Sequence, residues 1–218
     1  MAVHLGEMDD VVEDPSLRAA LDQARAGDMT AVGPLLESYR GRLSRMVSIR
    51  MDARLNGRFD TSDVLQETFV EIARRLPRYL EEEKMPFFLW VRFLVGQKLI
   101  QFHRSHLGVE ARAADREVSL NTRSAPGASS FSVASVWLAE SGGSPSRAAV
   151  AGEEHARVQE ALEAMSGTDR EVLVLRHFEQ LSNVEVATLL EITPQAASAR
   201  YVRALTRLQN VVSDDESA

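Results

Sequence analysis

The chain has no cysteine, which excludes disulfides and thiolate metal sites and suits a reducing compartment. It has no run of the about 18 uninterrupted apolar residues that a membrane span requires, so no membrane insertion is expected. The opening MAVHLGEMDDVVEDP lacks the basic start and apolar run of a secretion signal. Those absences lead to the expectation of a cytoplasmic protein. Aromatic residues make up only 6% of the chain, and its 12 Gly and 7 Pro are too few to punctuate the many short strands of a β-sandwich, which favours helices. Catalytic devices are missing as well: no Gly-rich phosphate loop, no activated Ser or Cys, no convergent carboxylate pair. No enzyme and no cofactor are expected. His103 and His106 stand three apart, a helical spacing that suits a shared metal, but no third ligand lies near them in sequence, so no metal site is assigned.

What is there begins with the charge. The net charge is −7 over 218 residues, yet the ends hold Glu7, Asp9, Asp10, Glu13, Asp14, Asp214, Asp215 and Glu216, which account for more than the whole deficit. A field acts locally before it acts globally. Residues 85–109 carry Arg92, Lys98 and Arg104 with no acid, and residues 194–210 carry Arg200, Arg203 and Arg207 with no acid. Either basic stripe alone is equally well a solvated helix face.

Apolar residues recur at three and four from Ser16 to Gly108, the period of amphipathic helices. One helix carries Leu17, Ala20, Leu21 and Ala24, and a second carries Leu35, Leu36, Leu43, Met46 and Val47, with Gly27 and a capping Asp28 between them. A third follows Asp60-Thr61-Ser62, any of which can cap it, and is expected to stop at Pro77. The fourth, PFFLWVRFLVGQKLIQFHRSH, begins near Pro86 and is apolar nearly all round, as befits the buried centre of a bundle. From about Val109 to Gly152 the texture turns to Ser, Ala and Gly, a flexible linker in which Phe131, Val133, Val136, Trp137 and Leu138 are too apolar for free coil. Beyond it, a helix with Val158, Ala161, Leu162 and Met165 is expected to stop at Gly167, and Thr168 with Glu171 has the spacing of a capping box. Ser182 with Glu185 repeats that device, and Thr193 then caps a last helix starting at Pro194. Two short helices with a tight turn, the second basic, have the layout of a helix-turn-helix. In that motif the N-terminal part of the second helix enters a major groove: Gln195, Ala196, Ser198 and Arg200 are placed for base edges, Arg203 and Arg207 for phosphates. The fold expected is all-α, two helical domains on a linker.

The stretch TDREVLVLRHFEQLSNVEVATLLEITPQAASARYVRALTRLQ from Thr168 resembles the sigma-four domain of extracytoplasmic-function sigma factors of the sigma-70 family, and FDTSDVLQETFVEIARRL resembles the core-binding helix of their sigma-two domain. The two stand in the family's order. GQKLIQFHRSHLG, REVSL and the Ser/Ala linker resemble the planctomycete-type sigma factors. The resemblance implies a sigma-two-like domain (17–108) and a sigma-four-like domain (153–212), which charge and composition set between an acidic N-terminal tail (1–16), a linker (109–152) and an acidic tail (213–218). It further implies core RNA polymerase as a partner, its β′ clamp meeting Asp63, Gln66 and Glu67 and its β flap the sigma-four-like domain, and promoter DNA as the second. Lys98, Gln101, His103 and Arg104 fall where the family contacts the opened −10 strand; Gln195, Ala196, Ser198, Arg200, Arg203 and Arg207 fall on its −35 reader. Trp90 matches a near-constant Trp, expected to be a core anchor. Gln97 and Gln101 stand where relatives commonly have Asn and Asp, Ala197 where they have Val and Ser198 where they have Lys, so no promoter sequence carries over. An anti-sigma factor or a regulatory kinase is a further partner the resemblance leaves open. The rival reading from the residues alone is a helix-turn-helix regulator that is not a sigma factor.

Overall fold

A computed structural model of the protein describes residues 15–51, 60–107, 133 and 148–213, all in helices or the turns between them. The acidic tails as far as residue 14 and from 214 onward, and nearly all of the stretch read as a linker, lie outside the described residues. The chain divides into two compact units, Met1–Pro126 and Gly127–Ala218.

In the first unit, α1 (Pro15–Arg25) buries Ala20, Leu21 and Ala24, the apolar positions at helical spacing. Gly27 takes a left-handed φ of 109°, which a residue without Cβ adopts readily. Asp28 then accepts from the Thr30 amide and caps a 3₁₀ turn over Met29–Val32. That turn leads into α2 (Gly33–Arg50), whose Leu35, Leu36, Leu43, Met46, Val47 and Ile49 are buried. The helix α3 (Thr61–Glu82) opens on a capping box: Asp60 accepts from the Asp63 amide and the Asp63 carboxylate accepts from the Asp60 amide, both at 2.9 Å. It does not end at Pro77, as the sequence suggested, but runs through it for five more residues. Pro77 and Ala73, one turn before it, are exposed while Leu76 and Tyr79 are buried; the proline removes one backbone hydrogen bond on the exposed side, and the flanking burial outweighs the loss. The helix ends instead where Glu83 turns left-handed at φ 33°. Helix α4 (Phe87–Leu107) is the buried member expected, with Phe87, Leu89, Val91, Leu94, Val95 and Leu99 all withdrawn from solvent. It packs on both α2 and α3.

The second unit includes α5 (Ala148–Glu163), which starts within the stretch read as a linker and buries Val158, Ala161 and Leu162. Val133, singled out with its apolar neighbours as unsuited to free coil, is fully buried; Phe131, Val136, Trp137 and Leu138 lie outside the described residues. Helix α6 (Gly167–Leu173) is capped by Ser166, whose hydroxyl accepts from the Asp169 amide, and not by Thr168 with Glu171. Gly167 therefore begins a helix where the sequence reading had it end one. A π turn over Val174–Phe178, closed by the Glu179 amide on the Val174 carbonyl at 3.0 Å, buries Val174, Leu175 and Phe178. Helices α7 (Asn183–Leu190) and α8 (Pro194–Ser213) complete the unit, and α8 packs on α5, α6 and α7. Among the described residues no helix is long and apolar enough to cross a membrane.

Two substitutions test these corrections in thermal and urea unfolding of the full chain. Ser166→Ala should cost about 1 kcal/mol through loss of the α6 cap, whereas Thr168→Ala should stay within about 0.5 kcal/mol. Pro77→Ala should stabilise the first unit, by about 2 kcal/mol once the proline's restriction of the unfolded chain is set against its helix penalty.

Candidate nucleic-acid interface

The turn between α7 and α8 is built from side chains that satisfy helix ends. Ser182 and Glu185 form the capping box expected of them: the hydroxyl accepts from the Glu185 amide at 3.1 Å and the carboxylate from the Ser182 amide at 2.7 Å. Glu191 closes α7 in the left-handed region at φ 55°. Thr193 Oγ1 accepts from the Ala196 amide at 3.1 Å, and Pro194 occupies the first position of α8, where a missing N–H costs nothing. Along α8 the stripe Ala197, Tyr201, Ala204, Leu205 and Leu208 is buried. The tyrosine is held on both sides: the Arg176 guanidinium lies 5.4 Å from its ring centroid, and its hydroxyl sits 3.5 Å from His177 Nδ1. Burial pushes the Tyr201 hydroxyl above its ordinary pKa, so it stays protonated across the neutral range.

With that side fixed, the other side is defined. Of the residues assigned to duplex DNA, Gln195, Arg203 and Arg207 are exposed, and Ala196, Ser198 and Arg200 are half-buried. The sequence reading passed over Ala199 and Val202, both exposed on the same helix, Val202 at 48%. An apolar residue off the buried stripe was the signal for it: a methyl-bearing side chain there suits contact with a thymine methyl group.

The acid-free stripe of α8 is acid-free only along the chain. In space Asp169 of α6 stands against it: Arg200 Nη1 donates to Asp169 Oδ1 at 2.8 Å, and Arg203 Nη2 lies 3.6 Å from the same oxygen. Burial works to raise the Asp169 pKa, but the hydrogen bonds from Arg200 and Ser166 and the charge of Arg203 outweigh it and leave the carboxyl below its ordinary value. Arg207 Nη1 reaches the Ala164 carbonyl at 3.3 Å. Two cations share one carboxylate, so the face keeps net positive charge, and Arg203, 62% exposed, carries most of it outward.

In the first unit Asp63, Gln66 and Glu67 form an exposed polar edge on α3, opposite buried Val64, Leu65, Thr68 and Ile72. Phe69 is only half-buried, with the Arg40 guanidinium 5.3 Å from its ring centroid. Each member of the edge has a local partner: Asp63 its cap, Gln66 the Ser62 hydroxyl at 3.3 Å, and Glu67 the ammonium of Lys98 at 3.2 Å. That last pair joins a residue assigned to the polymerase with one assigned to the opened strand. On α4, Gln101 and Arg104 are exposed and His103 is half-buried, whereas Arg92 is buried at 1% and drops out of the basic stripe.

A cavity of about 280 Å³ lies beside the α3–α4 turn, lined among others by Arg75, Arg78, Tyr79, Glu82, Lys84 and Trp90. Tyr79 and Trp90 stack there with ring centroids 4.5 Å apart, and the tyrosine hydroxyl donates to the Met85 carbonyl at 2.9 Å. Trp90 is half-buried, part anchor and part wall. The cations lining the cavity are all paired, Arg75 with Glu71 and both Arg78 and Lys84 with Glu82. Ending α3 at Pro77 had hidden this site from the sequence reading, because Arg78 to Glu82 were then not helical.

Residues 155–208 match the family model described as Sigma-70, region 4, a span that holds α6, α7 and most of α8. Over 196 residues the chain is 28% identical to the ECF RNA polymerase sigma factor SigD of Mycobacterium bovis and of Mycobacterium tuberculosis, covering 90% of this chain and 84% of each relative. Among solved structures it is similar to CnrH in complex with the cytosolic domain of CnrY, with a TM-score of 0.48 and 21% identity over 92% of this chain and 99% of that one. A second is the sigma factor RpoE in complex with the anti-sigma factor NepR from Bartonella quintana, with a TM-score of 0.43 and 14% identity over 88% of this chain and 97% of that one. The helix-turn-helix thus lies inside a Sigma-70 region 4 match, and along nine-tenths of its length the chain is similar to a protein named as an ECF RNA polymerase sigma factor.

Proposed function

We propose that the chain confers promoter recognition on core RNA polymerase, with its two units doing different parts of the work. The observation that carries this is the exposed face of α8: a helix-turn-helix whose buried stripe leaves Gln195, Ala199, Val202 and Arg203 toward solvent, inside the region 4 match. Arg and Gln suit guanine and adenine edges, and a helix of this kind fits a major groove. We assign the −35 duplex to Gln195, Ala196, Ser198, Arg200, Arg203 and Arg207. The residue 153–212 domain that bears them is taken to meet the polymerase β flap.

The exposed edge Asp63, Gln66 and Glu67 suits a basic protein surface, and the likeness to a protein named as an RNA polymerase sigma factor supports reading the polymerase β′ clamp as its partner. Lys98, Gln101, His103 and Arg104 offer cations and hydrogen-bonding groups to a separated strand, and half-buried Trp90 at the cavity offers aromatic surface, the chemistry by which unpaired bases are held. The 17–108 domain thus takes the −10 region, and the 109–152 stretch joins the two. The chain itself catalyses no reaction; it acts where the polymerase is, in the cytoplasm. An anti-sigma factor or a regulatory kinase is a candidate further partner for this chain.

The net charge of −7 opposes approach to phosphate. The free protein should therefore bind promoter DNA weakly, and the complex with core polymerase tightly, in gel-shift titrations at one fixed salt concentration. In reconstituted run-off transcription, this chain and core polymerase alone should start transcripts; a requirement for a second sigma factor would favour a helix-turn-helix regulator instead. Arg203→Ala should lower those transcripts about tenfold or more while co-elution with core polymerase is unchanged. Equal transcription by the variant would remove α8 from the duplex.

A further inference from the structure

The pairing of Asp169 with two arginines of α8 is not required by the packing of that helix, which Tyr201, Leu205 and Leu208 already secure. We propose that Asp169 is a positioning residue for duplex recognition: its carboxylate fixes where the guanidinium of Arg203 is presented. The inference rests on α8 being the duplex reader.

Asp169 is well placed to hold a direction. It sits in the first turn of α6, its own amide bonded to the capping hydroxyl of Ser166 at 3.1 Å, and its side chain is only 23% exposed. Residues 200 and 203 are three apart, hence on one side of the helix, where two uncompensated guanidiniums repel. One carboxylate oxygen meets both. The two arginines are held unequally. Arg200, 33% exposed and bonded at 2.8 Å, is anchored; Arg203, 62% exposed and at 3.6 Å, touches the carboxylate with one nitrogen and keeps its remaining donors toward solvent. Bidentate reading of a guanine needs the plane of the guanidinium set before contact, which is what a lateral carboxylate supplies to a planar fork. A carboxylate acting merely as a brake on DNA binding would have a different consequence. Removing a brake raises affinity for every sequence alike, whereas removing a positioning group raises non-specific affinity and erodes the preference among sequences.

The test uses holoenzyme assembled from the full chain and core RNA polymerase. The probe is a duplex pool randomised over about one helical turn (~10 base pairs) upstream of a pre-opened bubble, and the bound fraction is sequenced. The wild type should enrich a short motif in the random window. Asp169→Asn should bind the unselected pool at least as well, yet enrich that motif about tenfold less, the loss falling on the same base positions that Arg203→Ala erases. Asp169→Glu, which restores a carboxylate, should recover part of the enrichment. Val172→Ala, which weakens the buried side of α6 but leaves Asp169 and its Ser166 cap in place, should keep the motif. An unchanged motif and enrichment with Asp169→Asn would overturn the proposal, as would equal erosion by Val172→Ala, since helix stability would then be the cause. Enrichment of no motif by the wild type would overturn the duplex-reading assignment of α8, and this inference with it.

Discussion

Burial of one side of α8 is the constraint on which the second unit depends. Ala197, Tyr201, Ala204, Leu205 and Leu208 turn inward, and at roughly 1.5–3 kcal/mol for each large apolar side chain withdrawn from water they fix the rotation of the helix about its axis. Once that rotation is set, the identity of the outward residues follows from helical geometry alone: Gln195, Ala199, Val202, Arg203 and Thr206 face solvent whatever else happens. The capping devices at Ser182, Glu185 and Thr193 set where α7 and α8 begin, and the left-handed Glu191 turns the chain between them. Recognition chemistry is thus a by-product of core packing plus three or four satisfied backbone donors.

The first unit obeys the same logic with a different product. Because α4 is apolar on almost every side, it takes the interior, and α2 and α3 close over it with their polar sides outward. The outward edge of α3 therefore has nowhere to turn but toward a partner or water. Its acids are not idle in the meantime. Asp63 holds the start of its own helix, and Glu67 neutralises Lys98 across the α3–α4 contact. Exposed pairs of that kind are worth at most about 1 kcal/mol, so they organise a surface without locking it against a stronger partner.

Much of this could be read from the residues in order. Helical periodicity gave the apolar sides of α1, α2, α4 and α8, and short-range capping chemistry gave Asp28, Ser182 with Glu185, Thr193 and Pro194, since those interactions span three residues or fewer. Two local readings failed for different reasons: a tertiary term carries Pro77 inside α3 through buried Leu76 and Tyr79, whereas at Gly167 one local cap displaces another, Ser166 opening α6 ahead of Thr168. What no local pattern could disclose is the partner of a charge. Asp169 and Arg200 are 31 residues apart, as are Glu67 and Lys98, and Arg92 left the basic stripe only when the bundle closed over it. Sequence order reports which residues are charged; the folded chain decides which of those charges remain available.

The central claim is that the outward side of α8 lies against double-stranded DNA when the chain is on core polymerase, and site-specific photocrosslinking measures it most directly. A photoreactive amino acid replacing Ala199 should crosslink to duplex promoter DNA, and do so only when core polymerase is present. The same group replacing Gln66 on α3 should crosslink to a polymerase subunit and not to DNA. Crosslinking of position 199 to protein alone, or of both positions equally to DNA, would contradict the account.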